Sequence, residues 1–398
     1  MTRRETAKPE PAGPELAVIC TPGFELITRS EIESLGLAVA GVQPGLIECS
    51  GGPADVYRLN FQLRTASRVL VRLGEFNAAA FSELHKKAAR LPWKKFLTPG
   101  VKVQVRVATH ASALYHKKGI AERVIKAIVE AIGGEVIPAS ATGEDVEAGV
   151  QLVMVRLVRN MCAISIDSSG EHLHRRGYRL ETGKAPLRET LAASLVFASA
   201  WNLQSPLVDP FCGSGTILIE AAMLAGGLAP GRNRSFSFQA WPGFDDSVWR
   251  KITQVQTAPV HLPHLFGTDR DEGVIRSAKA NAARAGVAHL ISFSRKSISD
   301  MSLPPAPGWI VTNPPYGGRI KGGHDLRDLY ARTGRVFRER AAGWRMFMIS
   351  ASPRWTGQMG MATRTVARFD NGGLPVSLME LSRQDEGLAI RNAAEQRL

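Results

Sequence analysis

Two spacings of apolar residues alternate along this chain, and each switch between them marks an element. In the first part, short runs with the two-residue repeat of strands lie at 16–20, 46–49, 69–73, 101–107, 151–157 and 161–166. Helical repeats of 3.6 residues fill the gaps at 25–35, 54–62, 81–91 and 121–132. Asn160 separates the last two strands and predicts a hairpin. This region therefore reads as a mixed α+β module, or as two small ones. Beyond about residue 180 the order becomes strand, turn, helix. Leu207-Val208 precedes a helical run at 217–224, and 264–267 precedes another at 274–281. Strands follow at 291–293, 309–311 and 345–349, with a basic amphipathic helix at 325–340. Runs at 363–369 and 376–381, around Asn371-Gly372-Gly373, predict a terminal hairpin. Alternating strands and helices predict an α/β, doubly wound, mostly parallel sheet. The stretch 231–262 interrupts it, and is expected to be a partly ordered flap whose Trp241, Phe244 and Trp249 pack on that sheet.

The strand at 309–311 runs into Asn313-Pro314-Pro315-Tyr316. Two prolines lack N–H groups and fix φ, so the chain must leave the sheet at Pro314. An amide, a bare carbonyl and an aromatic ring then meet at the carboxyl end of a strand. Asn313 Oδ1 and the Pro314 carbonyl can accept the two hydrogens of an exocyclic amine, and Tyr316 can stack on the base that carries it.

A second motif, Asp209-Pro210-Phe211-Cys212-Gly213-Ser214-Gly215-Thr216, lies between strand and helix. Glycines there let the backbone approach a ligand closely. The full dinucleotide fingerprint is missing, and no Lys follows the glycines as in a phosphate-binding loop. An acidic turn of small residues suits a cationic amino-acid ligand better than a pyrophosphate. At the end of the next strand, Asp269 is the candidate for ribose hydroxyls, and Asp271 reads as a helix N-cap.

These three elements, in this order, resemble the class I S-adenosylmethionine-dependent methyltransferases that act on exocyclic base nitrogens. The lead-in is more specific. Ser169 to Arg179, with His172-Leu173-His174-Arg175-Arg176-Gly177-Tyr178, and then Ala185-Pro186-Leu187-Arg188-Glu189-Thr190, is similar to that of bacterial THUMP-domain RNA methyltransferases. Ala229-Pro230-Gly231, Phe236, Phe238, Trp241 and Asn371-Gly372-Gly373-Leu374 fit the same group. The resemblance implies a C-terminal Rossmann-like domain of seven strands behind an N-terminal ferredoxin-like and THUMP region. It also implies S-adenosyl-L-methionine as cofactor and N2 of a guanine in 23S rRNA as target. Guanine N2 of tRNA, adenine N6 of DNA, and a non-catalytic RNA-binding assembly role remain alternatives. Relatives place an acid after the third strand to hold the adenine amino group. Here Ser297 stands at that position, and Asp300 follows as the candidate.

Charge and composition add a partner class. Among 398 residues, Lys and Arg outnumber Asp and Glu to give +14, which suggests a polyanion such as RNA. Tyr115, His116, Lys117 and Lys118 interleave cations with an aromatic ring, as nucleic-acid binding requires. The resemblance places them in the THUMP module. Arg175, Arg176 and Arg179 in the linker are candidates to grip the RNA backbone. The four cysteines are widely spaced, which predicts reduced thiols and no metal site. No apolar run is long enough for a membrane span, and the polar N-terminus lacks a signal-peptide core, so a cytoplasmic location is expected. The expected partition is a disordered tail at 1–15, a ferredoxin-like domain at 16–98, THUMP at 99–168, a linker at 169–185 and the methyltransferase domain at 186–398.

Overall fold

A computed structural model describes residues 15–139, 146–147, 149–180, 187–254, 262–305, 307–316 and 323–383, with the backbone alone at 323–325. Most of the expected tail, and Lys184 to Pro186 of the expected lead-in, lie outside the described residues. The chain forms two compact units and crosses between them repeatedly. One holds residues 28–173 with 234–255, and begins with the strand that ends at Cys20; the other holds 21–27, 174–233 and 256–398.

The first unit is built on one mixed sheet. Its elements are β1 (Glu15–Cys20), α1 (Glu25–Ser34), β2 (Val39–Gln43), β3 (Leu46–Ser50), α2 (Pro53–Gln62), β4 (Ala66–Asn77), α3 (Phe81–Ala88), β5 (Lys102–His110), α4 (Lys117–Ile132), β6 (Ile137–Pro138), β7 (Val150–Val158) and β8 (Met161–Asp167). Eight strands run in the order β2-β3-β1-β4-β8-β7-β5-β6. The two modules expected from sequence thus share a sheet, joined where β4 pairs antiparallel with β8. The turn between β7 and β8 bends through Arg159 and Asn160, with φ of +50° and +65°. Both central positions are left-handed, as a tight hairpin turn demands.

A buried ion pair crosses the β4–β8 seam. Arg68 Nη1 lies 2.6 Å from Asp167 Oδ2, and their side chains are 4% and 0% exposed. Asp167 also accepts from the Ser169 and Gly170 amides at 3.1 and 2.9 Å. Ser168 and Ser169 in turn bond Asn60 of α2.

Residues 234–255 correct the expectation of a flap lying on the catalytic sheet. They form a short turn of helix at Ser237–Ala240 and then α7 (Asp246–Gln254), and they belong to the first unit. Phe238 stacks on Tyr57 of α2 at 4.5 Å, and Trp249 meets Phe61, Phe236 and Phe238 edge-on. The aromatics pair with one another and with α2, where rings at these distances gain from both burial and quadrupole geometry. Trp241 donates its indole N–H to Gln151 at 2.9 Å. Arg234 donates to the carbonyls of Ser169, Glu171 and His172.

The second unit is a seven-stranded, doubly wound sheet. Its elements are α5 (Glu189–Ala198), β9 (Leu207–Asp209), α6 (Thr216–Ala225), β10 (Leu265–Asp269), α8 (Glu272–Arg284), β11 (Ile291–Arg295), β12 (Trp309–Thr312), α9 (Gly323–Arg340), β13 (Arg345–Ser350), α10 (Pro353–Gly357), β14 (Ala362–Asp370) and β15 (Pro375–Ser382). The order is β11-β10-β9-β12-β13-β15-β14, parallel except for β15. Successive strand residues point to opposite faces. Leu207, Val311, Phe347 and Ile349 enter one core with α5, α6 and α8, while Val208, Ile310, Met346 and Met348 enter the other with α9 and α10. Among the described residues no helix is long and apolar enough to cross a membrane.

Asp167→Ala would leave the Arg68 guanidinium buried without its counter-charge. Breaking a buried pair from one side costs about 3–5 kcal/mol. Urea unfolding of the variant should show a loss of that size, and an unchanged midpoint would show that the seam does not depend on the pair.

Candidate active site

The parallel order of the second unit reverses direction at β9, whose neighbours are β10 on one side and β12 on the other. Ligands of such sheets bind in the crevice outside the carboxyl ends of the strands at that switch point. Both sequence motifs arrive there, one after β9 and the other after β12.

Asp209 ends β9 and is 1% exposed. Its Oδ1 accepts the hydroxyl of Thr312, the last residue of β12, at 2.6 Å, and the Phe211 amide at 3.1 Å. The chain then turns through Gly213 and Gly215, with φ of +51° and +82°. A Cβ on Gly215 would come within 2.9 Å of Phe293 and 3.2 Å of Ala278, so that position needs glycine for space as well as for φ. A Cβ on Gly213 would meet nothing within 4 Å, so its backbone faces open space. Cys212 is buried, and Thr216 starts α6. Burial pushes Asp209 up to about 7, and the nearby Asp269 pushes in the same direction.

Asp269 ends β10 with its side chain partly exposed. It accepts the Gly213 amide at 3.2 Å and the Asp271 amide at 3.0 Å. Its carboxyl is also raised, first by burial. Asp271 caps α8 by accepting from Gly273 and Val274, as its place in the sequence implies. Ser297 and Asp300 are brought together: the Ser297 hydroxyl donates to Asp300 Oδ2 at 2.7 Å on the surface after β11. Ser297 and the acid three residues later thus form one polar pair.

Asn313 follows β12 directly. Its Oδ1 is buried and, among the described residues, has no hydrogen-bond partner. An orphaned buried acceptor is uncommon, because leaving it unpaired costs about 1–3 kcal/mol. Tyr316 departs from its expected position. The ring has no open face for a base: it is fully buried in the core with Val311, Ile349 and Phe369, and its hydroxyl is bonded by Asn371 Nδ2. A buried tyrosine keeps its hydroxyl satisfied by such a partner. The Pro315 carbonyl accepts from the Tyr330 hydroxyl of α9 at 3.4 Å. A cleft of about 580 Å³ opens beyond β13, bordered by Ser350, Ser352, Arg368, Phe369 and Asp370.

These features fit S-adenosyl-L-methionine. Two crowded carboxyl groups with raised affinity for protons form a site that a cation relieves. The open backbone at Gly213 gives room for close approach. Asp209, Asp269 and the turn between Pro210 and Thr216 would hold the cofactor, with Asp300 beside it.

The candidate RNA contacts divide. Tyr115 is 77% exposed, and Lys117 and Lys118 are exposed on the first turn of α4. His116 caps that helix, its Nδ1 accepting the Gly119 amide at 3.0 Å. Asn160 Oδ1 anchors the preceding loop at the Ala113 amide. Arg175 is exposed. Arg176 and Arg179 are not RNA-facing and are corrected here. Arg176 is 2% exposed, with Nε 3.6 Å from Glu220, which also accepts the Tyr178 hydroxyl at 2.9 Å. Arg179 reaches Glu189 at 2.8 Å and the Leu187 carbonyl at 2.7 Å. Both neutralise buried carboxylates, a demand that a run of arginines in sequence does not reveal. Among the described residues no group of three or more potential ligands could hold a metal ion.

Sequence and structure comparisons agree with this geometry. Residues 176–378 match the family described as RMKL-like, methyltransferase domain. Residues 15–70 match the RlmL ferredoxin-like domain, and residues 78–167 match the THUMP domain. The "Putative RNA methyltransferase slr0064" of Synechocystis sp. is 34% identical over 365 residues, covering 90% of this chain and 94% of that protein. The crystal structure of SMU.472, described as a putative methyltransferase complexed with SAH, superposes with a TM-score of 0.82 at 27% identity over 93% of this chain and 98% of that one. A Listeria monocytogenes structure titled as a predicted N6-adenine-specific DNA methylase gives 0.80 at 30% identity, covering 92% and 95%. With the switch-point site in place, the chain belongs to the THUMP-containing RMKL-like family of S-adenosylmethionine-dependent RNA methyltransferases.

Proposed function

We propose that this enzyme methylates the exocyclic N2 of a guanine in 23S rRNA. The buried, unpartnered Oδ1 of Asn313 carries the reading, because an amine hydrogen is the donor it lacks. The adjacent Pro314 carbonyl takes the second hydrogen. Together they hold the nitrogen and orient its lone pair toward the cofactor crevice. Bound there, the cofactor supplies an electrophilic methyl group, so the protein's tasks are alignment and exclusion of water. Alignment of this kind accounts for about 7–11 kcal/mol of a barrier. No acid or base is required beside Asn313, since an alkylated amine releases its proton to water. Asp209 and Asp269 would hold the cofactor's cationic end and ribose.

The four residues alone hold an amine on either purine. Ribosomal RNA and guanine are supported by the RlmL-type ferredoxin-like segment next to a THUMP domain, and RNA by the net charge of +14. Tyr115, Lys117 and Lys118 lie on the THUMP module and are its candidate RNA contacts. Nucleosides from 23S rRNA of a strain lacking the protein should lack one N2-methylguanosine. Loss of the same nucleoside from tRNA, or of N6-methyladenine from DNA, would replace the target.

Asn313→Ala should lower methyl transfer by at least about 10²-fold while calorimetry shows unchanged S-adenosylhomocysteine binding. Turnover at the wild-type rate would end the assignment.

Asp209 generates a pH signature. An acid whose folded pKa is raised favours the fold at low pH. Its contribution is complete below its unfolded value of 3.8 and is lost as pH rises through about 7. In cofactor-free protein, thermal unfolding should therefore show the wild type losing stability relative to Asp209→Asn between about pH 4 and pH 7. Parallel curves would mean that Asp209 does not titrate in that window.

A further inference from the structure

The terminal hairpin reaches the turn after β12 through a side-chain hydrogen bond from Asn371. Asn371 opens the turn between β14 and β15, where its amide donates to the Leu374 carbonyl at 2.9 Å. Gly372 and Gly373 follow with φ of +65° and +83°. Left-handed backbone at two successive positions suits glycine, so Asn-Gly-Gly specifies this shape. The shape turns Asn371 inward. It is 8% exposed, and its Nδ2 donates to the hydroxyl of Tyr316. Tyr330 of α9 holds the neighbouring Pro315 carbonyl. Residues 315 and 316 are thus tied to the hairpin and to α9, immediately after the two groups that accept the amine.

A fully buried Tyr316 raises the question of what its hydroxyl is for. The ring alone would serve the core cluster that also holds Val311, Ile349 and Phe369. The hydroxyl adds a fixed distance from the ring to the hairpin. The polar side chain at 371 meets it there, and the two glycines shape the turn that puts it in place.

We propose that Asn371 is a positioning residue for methyl transfer: acting through the Tyr316 hydroxyl, its amide fixes the height and tilt of the turn carrying Asn313 and Pro314. The inference rests on the reading that those two groups hold the amine. Displacing an aligned group by about 1 Å costs on the order of 10²-fold in rate. Loss of the tether should therefore be visible in the chemical step and absent from cofactor binding.

The test is single-turnover transfer of labelled methyl to total RNA from a strain lacking the protein. Asn371→Ala, Tyr316→Phe and the double variant are compared with wild type, alongside cofactor affinity and thermal midpoint. Each single change should slow transfer about 10–100-fold with cofactor affinity unchanged. The double variant should be no slower than the slower single, because both remove the same bond. Tyr316→Phe keeps the ring and its packing, so it decides the matter if Asn371→Ala lowers the midpoint. Wild-type transfer by Tyr316→Phe, or losses that multiply in the double variant, would overturn the proposal. Asn313→Ala separates the two readings. If it retains turnover, the amine-holding role fails. If it is inactive while Asn371→Ala and Tyr316→Phe transfer normally, only the positioning role fails.

Discussion

A single buried hydrogen bond, from the Thr312 hydroxyl to Asp209 Oδ1 at 2.6 Å, joins the two halves of the catalytic crevice. It spans from the last residue of β12 to the last residue of β9, where the order of the parallel strands reverses. Asp209 also holds the Phe211 amide, which begins the glycine turn. Thr312 is followed at once by Asn313. The glycine turn and Asn313 are therefore set relative to each other by this contact together with the strand pairing of β9 with β12 at Leu207 and Val208. The cost of burying a carboxyl is visible in its raised proton affinity. A bound positive charge would offset both the burial of Asp209 and its repulsion from Asp269.

Much of this was legible in the sequence. Strand ends followed by Asp209 or by Asn313-Pro314 announce where the chain leaves the sheet, because proline and glycine act locally through φ and missing N–H groups. The terminal hairpin was legible for the same reason. Asp271 as a cap was legible because a carboxylate before a helical run has a local partner. What could not be read depended on partners distant in sequence. Arg176 and Arg179 look like a basic linker until Glu220 and Glu189 are brought beside them. The rings of 234–255 look like cover for the nearest sheet until α2, far earlier in the chain, presents Tyr57 and Phe61. The strand β2 (Val39–Gln43) was missed because its five residues include Gly41 and little apolar alternation.

The net positive charge has the same lesson at larger scale. Several of its arginines are internal: Arg68, Arg176 and Arg179 each answer a buried carboxylate. Charge that neutralises charge inside the fold contributes nothing to the field a polyanion meets. The cations that remain at the surface include Lys117 and Lys118, beside the exposed ring of Tyr115. Their loop is fixed at both ends, by His116 capping α4 and by Asn160 holding Ala113. A pre-ordered loop loses less entropy on binding than a free one, so this small cluster can matter more than its share of the total charge.

Burial of Tyr316 changes the meaning of the catalytic turn. A stacking ring must be exposed in the free enzyme, whereas this one is enclosed and bonded through its hydroxyl. On the proposed reading, the atom of the turn that meets the substrate is instead Asn313 Oδ1, which is unpaired among the described residues. An orphaned acceptor destabilises the free enzyme, and the amine of a correctly placed base removes that cost. An isosteric ring that lacks the amine would leave the acceptor unpaired, and sites that bury polar groups for a specific donor discriminate strongly against substrates without it. On the proposed reading, selectivity for an amino-bearing base would follow from that same unsatisfied group, and it would need the turn to be held still. Two distant contacts, from the hairpin and from α9, meet that requirement.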